Sequence, residues 1–333
     1  MDFVRDMMDK ARSLQKRLVL PEGMELRTLR AARRIVDEKL ASSVTVLGKL
    51  SEVQRIASGE GVNLDGVTVI DPELSERLAV YANEYYELRK HKGMTVEQAK
   101  KDMGAQLRYG AMMVRLNDAD AMVAGAENTT ADVLRAGLSI IGTVPGLKTA
   151  SSCFVVQCAD RSWGRDGALI FSDCAVVPDP SAEQLAEIAI SAAQSCRGFL
   201  GVEPVVALLS FSTKGSGGDH PNVLKVKSAT EMLASKKPDF VFDGEFQADA
   251  ALVPSVTDKK APGSPVKGKV NTLVFPDLGA GNIGYKLVQR LGNAEAFGPF
   301  LQGFAKPISD LSRGASVDDI VVTSAVTLSR VVS

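Results

Sequence analysis

The sequence predicts an α/β protein of two domains, each with a mostly parallel sheet flanked by helices. Short, continuously apolar segments alternate with longer segments of helical periodicity, which is typical of parallel strands covered on both faces. The chain has 333 residues, which is long for a single core, and 45% of them are hydrophobic. A formal net charge of −1 provides no basic excess, so we expect no nucleic-acid binding.

The first part of the chain supplies four strands and the helices between them. We expect strands at 18–20, 44–48, 67–71 and 121–125, and helices at about 26–39, 73–90, 96–116 and 131–141. Glycine and proline at 142–146 then interrupt this pattern, which indicates a domain boundary.

The next part begins a second alternating series. Its predicted strands are 152–157, 168–171, 205–211, 240–243 and 272–275, and Ser181 with Gln184 predicts the start of a helix. The tail from Ala305 is too short to fold alone, so we expect it to return to the first domain. The predicted domains are therefore 1–146 plus 302–333 and an inserted domain at 147–301, with the active site in the cleft between them.

The sequence gives no sign of export or membrane insertion. Residues 1–17 lack the apolar core of a signal peptide, and no segment approaches the roughly 20 apolar residues that span a bilayer. We therefore expect a cytoplasmic protein without membrane contact. Its four cysteines lack metal-binding spacing, so no metal site is expected, and Cys153 and Cys196 are interpreted as buried small hydrophobic residues.

The segment 306–320 combines hydroxyl, guanidinium and carboxylate groups in one loop and helix start. Ser312 and Arg313 are followed by Asp319. An arginine suits a phosphate or a developing oxyanion, and a nearby aspartate can take a proton from a bound nucleophile. The pattern indicates acyl or phosphoryl transfer. An alternative is structural, because Ser316 with Asp319 also has the spacing of a helix capping box.

A second motif, G-x-G-x-x-G at 279–284, stands between the strand 272–275 and a helix predicted at 285–291. A dinucleotide-binding fingerprint also requires an acidic residue about 20 positions later, and the corresponding segment 299–304 has none. This difference argues against a dehydrogenase. The glycines still predict a tight turn into a helix whose N-terminus favours an anion.

Several segments together resemble the phosphate acetyltransferase family. They are K-P-x-x-D-L-S-R-G at 306–314, F-P-D-L-x-x-G-N-x-x-Y-K at 275–286, Y-x-L-R-x-x-K-G at 86–93, S-x-S-T-K-G-S at 210–216, D-G-E-x-Q-x-D-A-A at 243–251 and K-A-P-G-S-P-V at 260–266. The similarity covers nearly the whole chain. One departure is Arg161, which stands where members of the family often have a cysteine.

The resemblance implies a set of site residues. Asp319 would be the general base, and Arg313 with Ser312 would stabilise the transition state. The residues implied to bind substrates are Arg89 and Arg135 in the cleft, Arg290 toward coenzyme A and Lys260 in a basic loop that would meet its phosphates. From the residues alone, Arg89 also fits a solvated helix C-terminus that the helix dipole favours.

The resemblance also implies the reaction, acetyl-CoA plus phosphate giving acetyl phosphate plus coenzyme A, as in acetate metabolism. The transfer would pass through a ternary complex without an acyl-enzyme. Coenzyme A would be a substrate, no cofactor would be required, and the protein would be a homodimer. Two alternatives stay open: a phosphate butyryltransferase, and a non-catalytic acyl-CoA-sensing domain similar to the module fused to some malic enzymes.

Overall fold

The computed structural model describes residues 2–331. The chain divides into two compact units. The first unit comprises Asp2–Val144 and the chain from Phe304 onward, and the second unit is Pro145–Gly303.

The first unit begins with helices and strands in alternation. In chain order they are α1 (Phe3–Leu14), β1 (Arg17–Leu20), α2 (Leu26–Asp37), β2 (Ser43–Leu47), α3 (Leu50–Gly59), β3 (Val67–Ile70), α4 (Leu78–Arg89), α5 (Val96–Met103), α6 (Gln106–Arg115), β4 (Ala121–Ala124) and α7 (Thr130–Ala136). The second unit follows with β5 (Ser151–Gln157), β6 (Ala168–Ser172), α8 (Ala182–Leu200), β7 (Val205–Leu209), α9 (Pro221–Ser235), β8 (Val241–Phe246), α10 (Ala248–Leu252), α11 (Pro254–Lys260), β9 (Thr272–Val274), α12 (Leu278–Leu291) and β10 (Glu295–Gln302). The chain then completes the first unit with β11 (Ile308–Asp310) and α13 (Val317–Leu328).

The first unit contains a parallel sheet whose strand order, over the described residues, is β11-β4-β1-β2-β3. β11 joins it by pairing with β4, which places the C-terminal segment in the same sheet as the N-terminal strands. Apolar side chains of α2 and α13, including Leu29, Ile35 and Ile320, pack with Val44 and Val46 of β2 in one buried cluster. Parallel pairing of β4 with β1 on one side and with β11 on the other places the carboxyl ends of these three strands side by side.

The second unit contains a mixed sheet of order β10-β5-β6-β9-β7-β8 across the described chain. The pairs from β6 to β8 are parallel, whereas β10 and β5 are antiparallel to their neighbours. Phe154, Phe171, Phe246 and Leu273 belong to its core. The predicted α/β class, with two mostly parallel sheets flanked by helices, is confirmed. Cys153 and Cys196 are buried, as predicted.

The two longest helices predicted for the first unit have different bounds in the structure. The helix predicted at 73–90 begins only at Leu78, because the Asp71 carboxylate and the Ser75 hydroxyl accept backbone N–H groups two residues ahead and hold a local turn. The helix predicted at 96–116 is two helices, α5 and α6. They are separated at Gly104, a weak helix former, and at Ala105, whose backbone is extended.

The helix predicted at 285–291 ends at Leu291 as predicted, but its predicted start was wrong. Helix α12 begins seven residues earlier, and the glycines of 279–284 lie within it instead of in a preceding turn. Its N-cap is Asp277, whose carboxylate accepts the Ala280 N–H at 2.8 Å, so an anion at this N-terminus would meet a negative charge. Gly281 allows close packing, because a Cβ there would lie 2.2 Å from the Asp173 carbonyl oxygen.

Among residues 2–331, no helix has both the length and the apolar character needed to cross a bilayer.

Candidate functional site

The candidate site of the first unit lies at the carboxyl ends of its central strands. From β1 the chain proceeds through α2 to β2 on one side, whereas β4 lies on the other side of β1. The direction of winding therefore reverses between β1 and β4. Ligands of open α/β sheets bind at such a switch point, outside the carboxyl ends of the strands. Functional groups are therefore expected in the segments that follow β1, β4 and β11.

Glu22, just after β1, is buried with only 2% of its surface exposed. Its carboxylate accepts the four successive backbone N–H groups of residues 125–128, which follow β4, at 2.8–3.0 Å. It also accepts the side-chain amide of Asn128 at 2.8 Å. Hydrogen bonds to an ionised acceptor are stronger than neutral ones, so this carboxylate fixes the 125–128 loop.

Asp310, the last residue of β11, is a second buried carboxyl, with 5% of its surface exposed. The Thr130 hydroxyl donates to its Oδ2 at 2.5 Å, and its Oδ1 has no hydrogen-bond partner within residues 2–331. Burial raises the pKa of Asp310 from 3.8 to about 6, and the charge of Glu22 acts in the same direction. Gly125 must be glycine, because its φ is +120° and a Cβ would lie 2.5 Å from the Leu311 carbonyl oxygen.

Asp310 gives a testable dependence of stability on pH. Because its pKa in the folded state lies above 3.8, the folded protein binds this proton more tightly than the unfolded chain. The associated stabilisation is complete below the unfolded pKa and is lost as the pH rises through about 6. Asp310→Asn removes the titrating carboxyl group, so its stability should not fall in this way as the pH rises. Its free energy of unfolding relative to the unsubstituted protein should therefore rise by about 2 kcal/mol between about pH 4.5 and pH 7. Urea unfolding at the two pH values measures this, and a difference that does not change with pH would contradict it.

Arg27, in the first turn of α2, connects the loops after β4 and β11. Its guanidinium donates to the carbonyl oxygens of Arg313 and Ala315, each at 2.8 Å, and to that of Ala126 at 3.1 Å. Its Nε pairs with Glu25 at 2.8 Å. A planar donor fork can bond several fixed acceptors at once, so Arg27 ties the two loops together.

Ser312, Arg313 and Asp319 occupy the loop after β11 and the first turn of α13, and all three are exposed. The capping box is confirmed: Asp319 Oδ2 accepts from the backbone and the hydroxyl of Ser316, each at 2.8 Å, while the Ser316 hydroxyl accepts the Asp319 N–H at 3.1 Å. These capping bonds use Oδ2 of Asp319 and not Oδ1, so they leave Oδ1 available to accept a proton.

The two other arginines of the first unit predicted to bind substrate lie on different helices. Arg89 ends α4 and is half-buried, and its buried Nε has no hydrogen-bond partner in the described part of the chain. An unsatisfied guanidinium donor suits an anionic ligand. Arg135, in the last turn of α7, is exposed and forms an ion pair with Asp132 at 2.6 Å.

The remaining predicted residues, Lys260 and Arg290, lie in the second unit. Lys260 ends α11, where its amino group pairs with Asp249 at 2.9 Å and donates to Gln247 at 3.0 Å. Arg290 is exposed in the last turn of α12. The two cations thus belong to separate helices, and Lys260 would have to exchange an existing partner for a ligand phosphate.

Glu22, Arg27 and Asp310 were not predicted from the sequence to belong to this site. The sequence feature that could have indicated a role for two of them is position, because Glu22 and Asp310 lie at the carboxyl ends of β1 and β11. The partners are distant in sequence: Glu22 bonds a loop more than 100 residues away, and Arg27 bonds one 286 residues away. Such pairings become visible only once the strand order is known.

Comparison with known proteins defines the class to which this fold and site belong. A family model described as "Phosphate acetyl/butaryl transferase" matches residues 2–328. The phosphate acetyltransferase of Treponema pallidum is 60% identical over 330 residues, which cover 98% of each chain. The chain belongs to the phosphate acetyl/butaryl transferase family, which is a family of acyltransferases.

Solved structures agree with this assignment. A phosphotransacetylase from Streptococcus pyogenes superposes with a TM-score of 0.91 at 40% identity, covering 99% of this chain and 98% of that one. The EutD phosphotransacetylase from Staphylococcus aureus has a TM-score of 0.89 at 38% identity and covers 99% of both chains. The fold described above is thus that of solved phosphotransacetylases.

Proposed function

We propose that this protein is a phosphate acetyltransferase that moves an acetyl group reversibly between coenzyme A and inorganic phosphate. The observation that carries the proposal is the segment after β11, which has Ser312 and Arg313 in its loop and Asp319 in the first turn of α13, in a chain 60% identical to a phosphate acetyltransferase. The test is formation of acetyl-CoA from acetyl phosphate and coenzyme A by the purified protein. Absence of the thioester product would overturn the proposal.

In the proposed mechanism both substrates bind before any bond changes. Asp319 Oδ1 takes the proton of the coenzyme A thiol, whose reference pKa of about 8.5 keeps it mostly protonated at neutral pH. The sulfur attacks the acetyl carbon of acetyl phosphate, the carbon–oxygen bond to phosphate breaks, and phosphate leaves. No acyl-enzyme forms. General-base assistance of this kind typically contributes about 10²–10⁴-fold.

Arg313 and Ser312 act on the charge that develops during this attack. The guanidinium neutralises the oxyanion of the tetrahedral intermediate or the departing phosphate, and the hydroxyl donates a hydrogen bond to the same group. Donors that are fixed before the reaction cost no reorganisation when the charge appears. In this scheme coenzyme A is a substrate, and neither a cofactor nor a metal takes part. We place the reaction in the cytoplasm.

Different cationic residues should bind the two substrates. We expect Arg89 and Arg135 to bind the phosphate of acetyl phosphate, and Arg290 with Lys260 to bind coenzyme A. Arg89→Gln should raise the KM for acetyl phosphate by about tenfold or more and leave that for coenzyme A within about twofold, because one charge-assisted contact is lost. Arg290→Gln should show the reverse pattern, so each variant controls for the other. Steady-state kinetics with both substrates varied measures this, and equal effects on both KM values would refute the assignment.

We also propose a homodimer. An apolar stripe on α12 supports it: Ile283, Leu287 and Leu291 follow each other at four-residue spacing and are 60%, 52% and 82% exposed. Leu287→Glu should convert a dimer to a monomer in analytical ultracentrifugation, since it places a charge in the apolar stripe. Leu74→Glu is the matched control, because Leu74 is 83% exposed in the first unit and should leave the mass unchanged. A monomeric unsubstituted protein would refute the dimer.

Two other functions are distinguished by the same assay. A phosphate butyryltransferase would transfer the butyryl group of butyryl phosphate at least as fast as acetyl. An acyl-CoA-sensing domain would bind coenzyme A and transfer neither group. The high identity to a phosphate acetyltransferase favours the acetyl substrate.

A further inference from the structure

The carboxylate of Glu22 occupies a position that a bound anion takes in other proteins. Successive backbone N–H groups form a concave site for anions, and residues 125–128 present four of them. Here the chain fills that site with its own side chain. Because Glu22 is 98% buried under these bonds, its carboxylate is satisfied within the protein and is not aimed at a substrate. Its role must therefore be exerted through the loop that it holds.

That loop is fastened to the segment that carries the proposed chemistry. The carbonyl oxygen of Ala126 accepts from Arg27, and the same guanidinium donates to the carbonyl oxygens of Arg313 and Ala315. One residue before the loop, the Ala124 carbonyl oxygen accepts the Leu311 N–H at 2.8 Å. Thr130, two residues after it, donates to Asp310. Residues 124–130, which include the loop, are thus joined to residues 310–315 at three points.

We propose that Glu22 is a positioning residue for acyl transfer, which fixes the 125–128 loop and, through Arg27, the backbone that carries Ser312 and Arg313. The inference rests on the proposed function. Without the carboxylate, four buried or partly buried N–H groups lose their acceptor, and the loop must move to find others. A displacement of about 1 Å at a catalytic group can cost on the order of 10²-fold in rate.

Glu22→Gln tests this with almost no change in side-chain volume. The amide nitrogen of glutamine cannot accept the N–H hydrogen bonds that a carboxylate oxygen accepts, so part of the loop loses its acceptor. We expect kcat to fall by about 10–100-fold while both KM values stay within about threefold. Glu187→Gln is the matched control. Glu187 is an equally buried carboxylate that accepts the backbone N–H groups of Lys148 and Thr149 in the second unit. Both variants should lower the melting temperature, but Glu187→Gln should keep kcat within about threefold. Equal effects on kcat would reduce Glu22 to a stabilising role.

Hydrogen–deuterium exchange tests the coupling independently of activity. In Glu22→Gln the amides of 125–128 and of 311–315 should both exchange faster than in the unsubstituted protein. Faster exchange in the first segment alone would overturn the coupling. If the unsubstituted protein forms no acetyl-CoA, the proposed function fails. The exchange experiment then still decides whether Glu22 fixes the backbone of residues 311–315.

A third measurement uses chemical rescue. Glu22→Ala leaves space for a small carboxylate beside the four N–H groups, so added formate should restore part of the lost kcat. The same formate should not raise kcat in the unsubstituted protein or in Arg313→Gln, whose loop anchor is intact. If formate restores no activity in a folded Glu22→Ala protein, the missing carboxylate beside the N–H groups of residues 125–128 is not the cause of the lower kcat.

Discussion

Replacement of Arg313 with glutamine is expected to lower kcat by about 10²–10³-fold, while both KM values change by less than about threefold. The reason is that the guanidinium is proposed to act on charge that exists only as the transition state forms. Arg313→Lys should recover only part of the rate, because lysine keeps the charge but lacks the planar donor fork. Stopped-flow or steady-state rates with acetyl phosphate and coenzyme A measure the effect.

The matched control for this variant is Arg55→Gln. Arg55 is also an exposed arginine of the first unit, and it pairs with Glu52 on α3 at 2.9 Å. Its loss should leave kcat unchanged within about twofold, because an exposed ion pair of this kind contributes at most about 1 kcal/mol to stability. An Arg313→Gln protein with unchanged kcat would remove this arginine from the mechanism.

Replacement of Asp319 with asparagine is expected to have an effect of similar or larger size, about 10²–10⁴-fold in kcat. Asparagine has the shape of aspartate and can still accept the Ser316 N–H through its carbonyl oxygen, but it cannot take the thiol proton. The substitution therefore separates the proposed base from the observed capping box. The fall in kcat should be accompanied by a small change in melting temperature.

Ser316→Ala provides the opposite change. It removes the hydroxyl that bonds the Asp319 N–H and carboxylate, and it retains the carboxylate itself. Loss of a cap costs about 1 kcal/mol, so the melting temperature should fall while kcat falls less than tenfold. If Ser316→Ala and Asp319→Asn reduced kcat equally, Asp319 would act through the helix terminus and not as a base.

The strands were the most predictable part of the fold. Apolar segments such as 44–48, 121–125 and 152–157 correspond to β2, β4 and β5, because burial on both faces leaves a continuous hydrophobic signal in sequence. β10 was not predicted, since its burial is uneven and Gly298 and Pro299 interrupt it. The helix errors near Asp71 and Gly104 came from local hydrogen bonds and a single glycine. Hydrophobic periodicity does not register either of them.

The candidate site was predictable where the chemistry lies within one short segment. Ser312, Arg313 and Asp319 fall within eight residues, and the Ser316–Asp319 spacing indicated the capping box before the structure showed it. The sequence did not indicate what supports this segment. Glu22 and Arg27 reach it through backbone atoms, which carry no residue-specific pattern, and through partners that only the order β11-β4-β1 brings together.

The most direct test of the proposed function is thioester formation by the purified protein, followed by ultraviolet absorbance, with coenzyme A and either acetyl phosphate or butyryl phosphate as donor. We expect rapid acetyl transfer and a kcat/KM for butyryl phosphate at least about tenfold lower, since each extra methylene changes discrimination by about 1–3 kcal/mol. Faster butyryl transfer would reassign the substrate within the family. No transfer from either donor, with a folded protein that still binds coenzyme A, would contradict the proposed function.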